Sequence, residues 1–180
     1  MFPVKSNQIE DLFTEIGKLY PKQLTLVNKT IKDQPLIYVN QKFEEFTGYS
    51  SIEVLGKNCR FLQKNLQSPI RKLRIKSSLQ HYINNSIDCC VDLKNYKKDG
   101  TVFYNRLCLI HYGEEFCVGL QNQVDKISLK EVIPTPLEVL RPFSMAINEH
   151  FSSTVKADDE FYRKVASLLE DACDQLVRLS

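Results

Sequence analysis

A thiol, a guanidinium and two amides fall within six residues of one another in the string Gly56-Lys57-Asn58-Cys59-Arg60-Phe61-Leu62-Gln63. On a helix Cys59 and Gln63 share a face at i, i+4, so sulfur and carboxamide point together. A cysteine taken alone is most often a small buried packing residue. Arg60 changes that reading, because its planar fork suits an anionic oxygen. The set therefore offers a thiol alongside donors and acceptors for a polar, anionic ligand.

Those residues need elements to position them. Ile9, Leu12, Phe13, Ile16, Leu19 and Tyr20 recur at helical spacing and predict an amphipathic helix over residues 7–20, stopped by Pro21. Residues 23–27 and 35–39 read as short strands around a polar turn. Residues 40–63 read as short helical pieces, with Ser50 or Ser51 as a cap and Glu53 in the first turn. A longer helix is predicted over residues 69–81, with Ile70, Leu73 and Leu79 on its buried side. Residues 88–97, 102–111 and 116–124 read as strands, the first two joined by Lys98-Asp99-Gly100. His111 and Tyr112 are expected at a solvated strand end. The pattern is α+β: one five-stranded antiparallel sheet with helices over one face.

Pro134, Pro136 and Pro142 leave residues 126–142 at best as interrupted helix. Phe161, Val165, Leu168, Ala172 and Leu176 predict a second amphipathic helix over residues 158–179. The expected organisation is a helix over 1–21, a folded domain over 22–125 and a helical extension over 126–180.

The chain has 180 residues, with 24 Lys+Arg against 22 Asp+Glu. That near balance gives no global electrostatic reason to expect nucleic acid or an anionic membrane. No apolar run approaches the roughly 20 residues needed to span a bilayer. The first residues do not form a secretory signal, so a cytoplasmic location with reduced thiols is expected. Cys59, Cys89, Cys90, Cys108, Cys117 and Cys173 form no CxxC, and the three His are scattered. Neither a metal site nor a disulfide framework is expected, and Cys89, Cys90, Cys108 and Cys173 read as filler.

The string GKNCRFLQ resembles the signature of the light-oxygen-voltage (LOV) domains, a flavin-binding branch of the PAS superfamily. PLIYVNQKFEEFTGYS, IRKLR, LKNYKKDGTVFYN and FCVGLQ follow the family order around it, so the resemblance covers roughly residues 22–125. It implies the PAS/LOV fold and a blue-light photoreceptor holding flavin mononucleotide (FMN). In that family the photoexcited flavin bonds reversibly to the motif cysteine through ring carbon C4a, and ring nitrogen N5 takes a proton. Cys59 would fill that role.

By the same resemblance Asn95 and Asn105 grip the pyrimidine edge, and Gln121 lies near O4 and N5 and relays the signal. Asn58 and Gln63 would contact the ribityl chain or ring. Arg60 and Arg74 would hold the phosphate, with Arg71 the lesser choice. Leu62 and Leu107 complete the expected pocket. Strand alternation puts Gly119 and Cys117 on the face of Gln121. Cys117 stands where an aromatic residue is usual and reads as small packing; Thr25 is more polar than the usual aliphatic. The short link 64–68 favours FMN over the larger dinucleotide, and Glu53 with Lys98 matches a surface ion pair of relatives.

No effector signature appears in residues 126–180, so the expectation is a sensory module and not an enzyme. The apolar stripes of the two flanking helices must be buried on their own domain or on a second chain, and a homodimer through them is expected. An unknown downstream protein would read the signal. The competing classes are a flavin redox sensor using Cys59 as nucleophile, and a PAS-type interaction module with an empty pocket.

Overall fold

The computed structural model describes residues 6–112, 114–127 and 137–153. In chain order these form α1 (Ser6–Leu19), β1 (Gln23–Asn28), β2 (Leu36–Val39), α2 (Gln41–Thr47) and α3 (Ser51–Val54). A 3₁₀ turn, Cys59–Gln63, precedes α4 (Pro69–Asn84), β3 (Cys89–Tyr96), β4 (Val102–Tyr112), β5 (Phe116–Val124) and α5 (Leu137–Ser153). The strands make one antiparallel sheet in the order β2-β1-β5-β4-β3.

Side chains alternate between the two faces of a strand. Leu24, Leu26, Cys108, Ile110, Val118 and Leu120 therefore share one face, where they pack with α1 and α5. Leu93, Leu107, Leu109 and Cys117 share the other, against Ile75, Leu79 and Ile83 of α4. The sequence left two seats open for the stripe of the first helix. It lies on the chain's own sheet: Ile9, Phe13 and Ile16 are 0% exposed. The Tyr20 ring meets Phe143 of α5 edge-on, 5.6 Å between centroids.

Two residues seat α1. A Cβ added at Gly17 would meet the Tyr38 hydroxyl and the Asn40 Cβ, so a larger residue there must push the Tyr38 ring or α1 aside. The buried Asn40 amide caps α2 and ties it to three neighbours. Its Oδ1 accepts from the N–H groups of Leu24 (2.9 Å) and Phe43 (3.1 Å), while Nδ2 donates to Gly17 O (3.2 Å) and Lys22 O (2.8 Å).

Several expectations need correction. Residues 137–153 are one helix although Pro142 lies inside it. Proline deletes a backbone bond there, but Phe143, Ala146, Ile147 and His150 recur at helical spacing and are buried, and that burial wins. On α4, Ile70 and Leu73 are 69% and 67% exposed; the stripe Ile75, Leu79, Ile83 faces inward instead. His111 is not solvated, since it packs beside Asp88 with Nδ1 and Oδ1 3.0 Å apart, and Tyr112 is buried against Phe116. Cys90 and Cys108 are joined in a disulfide where free thiols were expected. The helix read over 158–179, and Cys173 in it, lie outside the described residues.

Replacing Asn40 by Ala strands the Leu24 and Phe43 donors and the two carbonyls. We expect Asn40→Ala to lose about 2–3 kcal/mol of stability and Asn40→Asp, which keeps the acceptor, to lose less. A lowered urea midpoint at unchanged slope checks this; a midpoint within error of wild type would remove Asn40 from its hub role.

Candidate functional site

Behind the 3₁₀ turn the chain must bend sharply enough to aim side chains at the sheet. Asn58 starts that bend: its Oδ1 accepts from Arg60 N–H at 3.0 Å and its Nδ2 donates to Asp33 O at 2.7 Å. At three residues per turn the i, i+4 face expected of Cys59 and Gln63 is no longer strict. Both nonetheless line the same cavity, of about 430 Å³, enclosed by the turn, α4 and the odd-numbered face of the sheet. That volume lies in the range of small-molecule and cofactor sites.

The floor is apolar and close. Thr25, Leu107 and Gly119 line it, with Leu62 packed at the turn. A Cβ at Gly119 would meet Thr25 Oγ1 at 2.5 Å and Leu107 Cδ1 at 3.2 Å, so the missing side chain keeps a flat cradle open.

One end of the cavity is built of amides. Gln63 Nε2 donates to Asn95 Oδ1 at 3.0 Å, and Asn105 Nδ2 donates to Gln121 Oε1 at 3.1 Å. Asn95, Asn105 and Gln121 are buried, on β3, β4 and β5 respectively. A carboxamide carries two donors and an acceptor with two lone pairs, so each pair retains bonding capacity for a ligand edge that alternates C=O and N–H. The residues present thus fit the ring edge of a flavin.

Cations gather elsewhere on the lining: Arg60, Lys64, Lys72 and Lys76 belong to it, and no acid does among the described residues. Asp33 holds the Arg60 Nη1 through both carboxylate oxygens, at 2.6 and 2.7 Å. Arg74 is exposed and outside the lining; Lys72 and Lys76, one turn apart, occupy that side. Cys117 also stands outside the lining. It is buried beside Leu109 and Cys89, one row along β5 from Gly119. The sequence reading placed Leu79 inward but missed Lys72, Lys76 and the stripe partners Ile75 and Ile83. The signal was available in the 75-79-83 spacing, but Ile70 and Leu73 offered a competing stripe.

The PAS domain family profile matches residues 24–125. A LOV domain from an Erythrobacter litoralis blue-light-activated histidine kinase is 33% identical, with a TM-score of 0.50, over 59% of this chain and 98% of that one. The chain belongs to the LOV branch of the PAS family. A Listeria monocytogenes blue-light photoreceptor is 42% identical over 97 residues, 52% of this chain and 37% of that protein. A Brucella anthropi blue-light-activated histidine kinase is 39% identical over 95 residues, 53% of this chain and 18% of that protein. This LOV chain therefore spans well under two thirds of either relative. The Rhodobacter sphaeroides LOV protein superposes on 94% of this chain and 96% of its own, with a TM-score of 0.56 at 22% identity, a likeness of fold alone. Among the described residues no helix is long and apolar enough to cross a membrane, and no group of three His, Cys, Asp or Glu could hold a metal ion.

Ionisation in this LOV domain follows burial. Desolvation pushes the Cys59 thiol up to about 12 and, with Asp88 adding to it, the Cys89 thiol to about 12; Cys117 is raised as well, again by burial first. At the surface the Lys98 ammonium, 2.5 Å from Glu53 Oε1, holds that carboxyl down at about 2, aided by Ser50. A raised thiol value stabilises the fold fully below the ordinary thiol range, and that stabilisation is lost as pH rises towards 12. The stability difference between wild type and Cys59→Ala should therefore shrink from pH 8 to pH 10.5 in urea titrations. A constant difference would mean that Cys59 titrates as an exposed thiol.

Proposed function

We propose that this LOV chain is a blue-light photoreceptor that holds FMN in the cavity and uses Cys59 as its reversible covalent partner. The observation that carries the reading is one wall: Cys59 lines the same cavity as the amide set of Gln63, Asn95, Asn105 and Gln121. A bound flavin would supply a light-excited ring, and Cys59 would offer it a thiol and that thiol's proton. Cys59 stays a protonated thiol in the dark, because burial disfavours the thiolate. The chain thus keeps its nucleophile inert until light arrives.

The other residues hold the reactants in place. Asn95 and Asn105 match the ring edge, and Gly119 lets the ring lie flat on the sheet. Arg60, Lys72 and Lys76 provide cations for a terminal phosphate, with Asp33 fixing the Arg60 side chain. The five-residue link Lys64–Ser68 favours the mononucleotide over a larger dinucleotide. Gln121 would face a donor where it faced an acceptor, and a mismatched buried pair is costly, so its carboxamide turns over.

That turn has a route outward. Gln121 is in register with Gln23 on β1. The adjacent Lys22 Nζ donates to Asn122 Oδ1 at 2.9 Å, and Asn40 binds both Lys22 O and Gly17 O at the end of α1. The output of this reading is a change in how α1 and α5 sit, read by a second copy of the chain or by a downstream protein. The domain works as a sensor and not as a catalyst.

Absorbance tests the photochemistry. Purified protein should be yellow, bleach under blue light and recover in darkness; Cys59→Ala should keep the colour and lose the bleaching. Pigmented wild type that never bleaches would end the proposal. Gln121→Leu should still bleach, but should lose the light-dependent change in proteolysis at α1. Light scattering on dark and lit samples reports assembly, and a strict monomer in both would remove the dimer from this reading.

A further inference from the structure

Cys90 and Cys108 are register partners on β3 and β4, and their sulfurs are bonded behind the cavity. Both residues are 0% exposed and lie in the cluster made with α1 and α5. Their strand neighbours Leu107 and Leu109 point the other way and line the cavity. The bond is therefore a covalent rung behind the cavity floor, within the core that α1 and α5 help to close. Nothing in the photochemical reading uses these sulfurs.

The other cysteines among the described residues, Cys59, Cys89 and Cys117, are free thiols whose ionisation burial disfavours. Exchange needs a thiolate, so an attacking sulfur must come from outside the domain. We propose that Cys90–Cys108 is a reversible thiol–disulfide site, opened by a dithiol reductant and gated by the seating of α1 and α5. The reductant's thiolate attacks one sulfur, the Cys90–Cys108 bond breaks, and a mixed disulfide forms with one cysteine released. The reductant's second thiol then displaces the remaining cysteine. The domain gains two electrons and two protons, and the reductant leaves as its own disulfide. Because both sulfurs are buried in the cluster to which α1 and α5 contribute, the attack waits on that cluster opening. The site is independent of the flavin reading and stands or falls without it.

The experiment uses the full chain, with dithiothreitol as probe and iodoacetamide labelling in denaturant as readout. Protein purified without reductant should leave Cys90 and Cys108 unlabelled and weigh two hydrogen atoms less than the reduced form. Reduction under native conditions should be about tenfold faster in Gly17→Ala, whose added Cβ crowds the contact of α1 with Tyr38 and Asn40. Ile16→Ala serves the same purpose if that variant does not fold. Reduction should lower the urea midpoint of wild type and leave that of a Cys90→Val, Cys108→Val double variant unchanged. Labelling of both cysteines before reduction, equal reduction rates in wild type and the α1 variants, or a midpoint unmoved by reduction would each overturn the proposal.

Discussion

Everything in this domain depends on the two-residue repeat of its central strands. Because successive side chains leave a strand on opposite sides, β1, β4 and β5 build two unlike surfaces at once. One is a dry seat for α1 and α5, made of Leu24, Leu26, Ile110, Val118 and Leu120. The other is a recess in which Thr25, Asn105, Leu107, Gly119 and Gln121 meet the 3₁₀ turn. A slip of one residue would exchange the two sets, placing carboxamides under an apolar helix and leucines in the recess. The fold and the site are thus fixed by one register.

Within the recess, polarity is arranged and not merely present. Asn95, Asn105 and Gln121 stand on three adjacent strands; Gln63 of the turn donates to Asn95 at 3.0 Å and Asn105 to Gln121 at 3.1 Å. Cations stand on the turn and α4. A ligand that satisfies both must be flat and hydrogen-bonding at one end and anionic at the other, and the apolar floor between them accepts a ring. Desolvation pushes the Cys59 thiol beside it up, so it is protonated at neutral pH.

The local chemistry was largely legible in the sequence. The Asp99-Gly100 turn and the placing of Gly119 on the Gln121 face by alternation are short-range features and stand where the sequence put them. Cys59 and Gln63 line one cavity from a 3₁₀ turn instead of the helix face expected. What escaped depended on contacts between distant segments. Pro142 argues against a helix by every local rule, yet α5 forms because Phe143 and Ile147 find the sheet. On α4 two apolar stripes shared the expected Leu79, and only the position of the cavity joins it to Ile75 and Ile83 instead of Ile70 and Leu73. That same rotation brings Lys72 and Lys76 to the lining in place of Arg74. The Cys90–Cys108 bond was invisible because no spacing rule predicts it; the register of β3 on β4 makes it. The expectation of reduced thiols rested on compartment alone and said nothing about geometry.

The strand order also decides how such a unit can be wired into something larger. β1 and β5 are neighbours in the sheet, and the start of β1 lies opposite the latter half of β5, Gln23 against Gln121. The incoming and outgoing leads of the domain therefore share a single doorway, next to the Gln121 amide that lines the cavity. A disturbance at that doorway pulls on both leads together, so cargo spliced upstream or downstream would feel the same tug.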